Sequence, residues 1–248
     1  MIENITAPQP YLKIYPAPEE VFAEPVELYA RHLMPFVSID LAVVNPDWQG
    51  WIHMVNTVEP YDGSVGQDTH EFHNYYLREN WIGFHLNDQG RYELLGDFRY
   101  FELEYIKNPP TPLSKLDLRR SQNQAQALEE YYATQHASLA AAKERFTRSG
   151  VFHSQNFVRY NPDCDLSQKE PSTLIRQLGG GVEAGNWDYG FPFDEIDEEN
   201  IRPLAPDGTP FHFIASVRGW DYCASGADEI LLFYERNSKI ALLTFDWS

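Results

Sequence analysis

The chain has 248 residues, 37 of them acidic against 19 basic, and a formal net charge of −18. A surface this acidic repels phosphate backbones and anionic lipids, which excludes general nucleic-acid binding and adhesion to an anionic membrane, and no stretch approaches the ~18 apolar residues of a membrane span. With 43% hydrophobic and 15% aromatic residues, the composition excludes wholesale disorder and favours a strand-rich core. The two cysteines, Cys164 and Cys223, cannot build a disulfide framework. The N-terminus lacks a basic segment followed by an apolar run, so it does not read as a secretory leader. The expectation is reduced thiols in a bacterial-type cytoplasm and one domain over 1–248, with 109–150 as an alternative sub-domain boundary.

In chain order, Glu19 to Leu33 carries Val21, Phe22, Val26, Tyr29 and Leu33 at helical spacing and predicts a short helix, with Pro25 either kinking it or sitting near a start. Strands are predicted at 36–44, 51–59, 71–80, 81–87 and 99–107, with Asn87-Asp88-Gln89-Gly90 as a turn. In the last of these, Phe101, Leu103 and Tyr105 alternate with Glu102 and Glu104, which reads as one buried and one wet face. From Leu113 to Arg148 there is neither Gly nor Pro, and Leu128, Tyr131, Tyr132, Leu139, Ala142 and Phe146 share one stripe. This predicts a long helix packed across a sheet and ended at Ser149-Gly150. Residues 151–160 read as a strand and Leu174–Leu178 as a short apolar piece. Strands at 211–217, 229–235 and 239–247 close the chain, the last two joined as a hairpin by Arg236-Asn237-Ser238. The predicted class is α+β, mostly antiparallel sheet with one long packed helix and a short N-terminal one.

Three pieces of the last third carry a resemblance. They are Leu178-Gly179-Gly180 followed by Trp187, then Asp207-Gly208-Thr209-Pro210 running into FHFIASV, then the closing ADEILLFYERNSKIALLTFDWS hairpin. Over 174–248 the chain resembles the YwqG-like bacterial proteins, a family of unknown function with a β-rich fold. Gly181-Val182 stands where that family has a proline soon after the double glycine. The resemblance implies a β-rich fold and brings no catalytic residues.

Several constellations are candidates for chemistry. Asp68, His70 and His73, with His85 on a neighbouring strand, are a candidate metal set, zinc being the expected ion; in a strand, however, His70 and His73 point to opposite faces. The acidic run Asp194-Glu195-Ile196-Asp197-Glu198-Glu199, with Glu183 and Asp188 upstream, lacks the spacing of a calcium loop and reads as a solvated face or a docking patch for a basic partner. Gly179-Gly180-Gly181 lacks the residues of a phosphate loop and reads as a turn with positive φ. Cys164, flanked by Asp163 and Asp165, is a poor nucleophile. The loops Trp187-Asp188-Tyr189 and Arg218-Gly219-Trp220-Asp221, with His212 nearby, place rings beside carboxylates and form the candidate ligand or partner surface.

The expectation drawn from these features is a non-catalytic cytoplasmic binding or interaction protein, of the immunity type for example, that holds a basic protein partner with its acidic, aromatic-rich loops. The alternatives are a small-ligand or carbohydrate binder at the Trp187 and Trp220 loops and a metal-dependent hydrolase using the Asp68/His70/His73/His85 region. No other cofactor is expected.

Overall fold

In the computed structural model, which describes residues 1–60, 63–111, 114–195 and 200–247, strands and helices are interleaved along the chain. β1 (Ile2–Ile5) and β2 (Leu12–Ile14) precede two short helices, α1 (Pro18–Val21) and α2 (Val26–His32), and then β3 (Leu33–Asp40) and β4 (Trp51–Thr57). β5 (Leu77–Arg78), β6 (Trp81–Leu86) and β7 (Tyr92–Leu94) lead to α3 (Glu102–Lys107), α4 (Lys115–Ser149) and α5 (Gln155–Tyr160). β8 (Ile175–Leu178), β9 (Phe193–Glu195), β10 (Ile201–Pro203) and β11 (His212–Val217) follow, then α6 (Gly219–Tyr222) and the hairpin of β12 (Glu229–Glu235) and β13 (Ile240–Asp246). The described elements are those of an α+β protein.

The larger sheet has eight strands in the order β1-β8-β11-β12-β13-β6-β5, with β7 also on β6, and its ladders are antiparallel. β2, β3 and β4 form a second, three-stranded antiparallel sheet, and β9 pairs with β10. The near-continuous apolar runs of β12 and β13 have a physical reason: the larger sheet is covered on both faces. Ile230, Leu232, Ala241, Leu243 and Phe245 enter the main core with β3, β4 and α4. Leu231, Phe233 and Leu242 point the other way, into a second cluster with Trp81, Trp187, Phe191 and Phe211. Leu232, Phe233, Leu242 and Leu243 have no solvent exposure at all. At roughly 1.5–3 kcal/mol for each fully buried large apolar side chain, this two-sided hairpin is a principal source of stability.

The long helix forms where its stripe predicts. Ser114 Oγ accepts the Asp117 amide at 3.2 Å as its N-cap, and Gly150 ends it at φ +69°, the left-handed conformation that glycine adopts without a Cβ penalty. Gly179 and Gly180, at φ +64° and +91°, make the predicted turn after β8.

Four local expectations are corrected. The single N-terminal helix is instead two, α1 and α2. Pro25 does not kink a continuous helix but takes the other expected place, at a start, as the N-cap of the second, because the residue before a proline is pushed out of the helical region. Residues 71–80 are mostly not a strand. Asn74 Oδ1 accepts the amides of Tyr76 and Leu77 at 2.8 and 3.0 Å, an Asx turn that leaves only Leu77–Arg78 to pair. Residues 99–107 form a 3-10 turn and the helix α3 rather than a strand, since the free amides of Glu102 and Leu103 are capped by the Glu59 carboxyl at 2.8 and 3.1 Å and the helix packs on α4. Finally, 155–160 is the helix α5, N-capped by Ser154 Oγ on the Phe157 amide at 3.3 Å. The first strand prediction needs a smaller adjustment, since 36–44 is strand only to Asp40 and the strand begins earlier, at Leu33, while β11, β12 and β13 lie where expected.

Candidate functional site

The two sheets meet at a cleft of about 510 Å³. Lys13 of β2, Ser38 of β3, and Trp51 and His53 of β4 form one wall, with Glu20 of α1 at its side. The β6–β7 turn supplies Asp88 and Arg91 to the other wall, and the β12–β13 hairpin supplies Tyr234 and Lys239. Ser38 and His53 are cross-strand partners in the β3–β4 ladder, so the register itself sets them side by side.

His53 is 2% exposed and both of its ring nitrogens are engaged. Nε2 lies 2.7 Å from the Gly90 carbonyl, which can only accept, so Nε2 carries the proton. Nδ1 then accepts from the Ser38 hydroxyl at 2.8 Å. Burial pushes the His53 pKa down to about 4, opposed by the Gly90 carbonyl and assisted by Lys13, so the ring is neutral near pH 7. The Tyr92 ring packs edge-on against it, its hydroxyl donating to the His53 carbonyl at 2.6 Å. The charges of the cleft pair among themselves: Lys13 lies 3.8 Å from Glu20 and 4.5 Å over the Trp51 ring, and Lys239 lies 2.7 Å from Asp88.

A second polar group is closed to solvent. Glu59 (3% exposed) is bonded to the Tyr132 hydroxyl, Tyr132 lies 2.9 Å from His32 Nδ1, and His32 Nε2 lies 3.1 Å from Glu104 Oε1, which Arg31 also reaches at 2.6 Å. Burial pushes Glu59 up to about 7 and pushes His32 down, whereas the hydrogen bond from His32, helped by Arg31, holds Glu104 at about 2. The direction of the chain depends on the Glu59 proton. The ionised carboxylate accepts from the Tyr132 hydroxyl, whereas the protonated acid is placed to donate to the Tyr132 oxygen, freeing Tyr132 to donate to His32 Nδ1 while His32 Nε2–H faces the Glu104 carboxylate.

The residues singled out from sequence fall in separate places. Trp187 is 3% exposed, packs in the second cluster beside Trp81 and Phe233, and donates from Nε1 to the Glu183 carbonyl at 3.1 Å. Asp188 is half-buried, and Tyr189 is exposed at 79%. Trp220 is half-buried under the Arg218 guanidinium at 5.6 Å, on the helix that sends Tyr222 into the main core instead. Asp221 is buried, its carboxyl pushed up by burial against a hydrogen bond to Ser154. The two tryptophan loops therefore serve different cores and do not line a common cavity among those described. His212 alone approaches the cleft: it is exposed, lies 5.2 Å from the Trp48 ring, and is the register partner of the cleft residue Tyr234.

The histidine set is likewise dispersed. Asp68 lines a small cavity with Glu102 and Tyr105, His70 begins a 3-10 turn, His73 Nε2 bonds the Gly66 carbonyl at 2.9 Å, and His85 lies 3.5 Å from Glu93. Among the described residues no three His, Cys, Asp or Glu side chains are grouped to hold a metal. Of the acidic run, Asp194 pairs with Arg202, while 196–199 lie outside the described residues. Among the described residues no helix is long and apolar enough to cross a membrane. Sequence reasoning passed over Ser38 and His53. The available signal was a polar residue inside each of two apolar strand runs. No family model, curated protein or solved structure matches the chain.

Proposed function

We propose that the chain is a non-catalytic binding protein that takes a small, hydroxyl-rich neutral ligand, a carbohydrate by chemistry, into the cleft between its two sheets. The observation that supports this reading is the balanced lining. Three cations face two carboxylates, and two of the cations already pair with them, so little net charge is left to draw an ion. What remains is a set of fixed donors and acceptors beside the rings of Trp51 and Tyr234, the combination that recognises a sugar's apolar face and its hydroxyls together.

Calorimetric titration with a panel of mono- and disaccharides tests this. Saturable binding is expected for at least one sugar, lost in Trp51→Ala and weakened in Arg91→Ala, a change at the cleft rim that leaves the core untouched. Absence of binding across the panel, or binding that survives both substitutions, overturns the reading. One observation favours a second reading, an acyl-transfer enzyme: the Ser38 hydroxyl already donates to a neutral histidine. Covalent labelling of Ser38 by a fluorophosphonate would favour that enzyme over the binder.

A further inference from the structure

Against the charge of −18, one cavity gathers basic side chains alone. It encloses about 550 Å³ where the C-terminal turn of α4 meets 151–153 and the loop 166–171, and it is lined by Arg145, Arg148, His153 and Lys169. No carboxylate is among the described residues lining it, and Val151 and Leu166 make part of its wall apolar. It shares no lining residue with the inter-sheet cleft.

The polar groups of this cavity are incompletely used. Arg145 bonds Gln155 Oε1, yet its Nε is buried with no hydrogen-bond partner, and so is Nδ1 of His153. Arg148 pairs at 2.6 Å with Glu144, but the two side chains are 72% and 73% exposed, an ion pair that water and salt weaken and a stronger anion would displace. The Lys169 ammonium lies 4.7 Å over the Phe157 ring without a carboxylate at hand. Burial first, and then the fields of Arg145 and Lys169, lower the His153 pKa, and no carboxylate among the described lining residues offsets those two cations. Crowding like charges is unfavourable unless an anion joins them.

We propose that this cavity is an anion site that takes the phosphate group of a small phosphate monoester, with the apolar body of the ligand against Val151 and Leu166. Arg145, Arg148 and Lys169, with a histidine able to gain a proton, exceed what one carboxylate would neutralise. A phosphate monoester brings a charge of roughly −1.5 to −2 and three acceptor oxygens, which suits guanidinium and ammonium donors converging from several directions. The apolar wall distinguishes an ester from inorganic phosphate.

The test is a titration of the whole protein followed by proton NMR of the histidine rings, with the His153 resonance assigned through His153→Gln. The probes are phenyl phosphate, inorganic phosphate, benzoate and phenol. Phenyl phosphate is expected to bind in the millimolar range and to move the His153 titration to higher pH. Inorganic phosphate and benzoate should each bind several-fold more weakly, and phenol should leave the ring unmoved. Arg148→Ala and Lys169→Ala, exposed changes that leave the core intact, should each weaken phenyl phosphate about threefold to tenfold. The proposal is overturned if His153 does not respond, if benzoate binds as well as phenyl phosphate, or if the response is unchanged in the double variant. Sugar binding at the cleft should be the same in that variant, so the two sites stand or fall separately.

Discussion

The buried carboxyl of Glu59 gives the sharpest test of the packing. Its pKa of about 7 in the folded chain compares with 4.5 for a free glutamate side chain. As pH rises from 4.5 to 7, the unfolded chain gives up this proton while the folded chain keeps it, so the folded state loses stability over that window and the loss is complete above it. At about 1.36 kcal/mol per pH unit, the 2.5 between the two values corresponds to about 3 kcal/mol. His32, whose pKa is lowered, acts in the opposite sense, adding stability as pH rises toward 6.5, and it does so with or without Glu59. Comparison with Glu59→Gln therefore isolates the carboxyl. The amide NH₂ can donate to the Tyr132 oxygen as the protonated acid does, but it cannot accept the Leu103 amide, so the variant is less stable than the parent at pH 4.5. That deficit should shrink by about 3 kcal/mol between pH 4.5 and pH 8, read from urea midpoints of both proteins at several pH values. A deficit that stays constant with pH, or grows, would show that the two backbone amides hold Glu59 ionised and that the proton arrangement drawn through Tyr132 and His32 is wrong.

Other consequences are quickly checked. Gly66 stands at φ +80°, and a Cβ there would lie 2.5 Å from Cε2 of the fully buried Tyr100, so Gly66→Ala combines a strained backbone with overpacking and should cost roughly 2–4 kcal/mol in a chemical melt; a loss below about 0.5 kcal/mol would contradict the packing around that ring. Cys164 is exposed, whereas Cys223 is buried with its thiol pushed up to about 12 by burial. A disulfide reagent at pH 8 should therefore modify one thiol per folded chain quickly and the second only on unfolding, and equal rates would refute the burial of Cys223.

Most of the fold was legible because its elements are decided locally or by a simple pattern. The run from Leu113 to Arg148 holds no helix breaker, and β12 and β13 are apolar at nearly every position because both faces of the sheet are covered. In three of the four failures a side chain that satisfies backbone amides decided the local structure, Asn74 and Ser154 from close by and Glu59 from far along the chain. FELEYI alternates as a strand should, yet the two amides that start α3 are taken by Glu59, some 43 positions away. Only the tertiary fold brings that acceptor into place, and it outweighs a weak local preference. Residues 151–160 carried a readable sign in Ser154, a good N-cap, but the apolar spacing around it suits either a strand or a short helix.

The site was less legible than the fold, and for a physical reason. Aromatic residues next to aspartates in loops are conspicuous in a sequence, but a ring is also the most effective way to seal a sheet face. Trp187 does that work: it is buried against Phe233 and fixed through its carbonyl to Thr244 at 3.0 Å, so its prominence reports core packing. Functional concavities are instead assembled from residues that look unremarkable one at a time. Ser38 and His53 become a pair only through the register of β3 with β4, and the wall opposite them comes from a turn that follows β6 in the other sheet. The cations around His153 are hidden in the same way, because Arg145 and Arg148 read as the exposed face of a long helix until the fold brings the loop carrying Lys169 beside them. In a chain with nearly two acids for every base, a place from which acids are missing is the informative feature, and only the folded arrangement displays it.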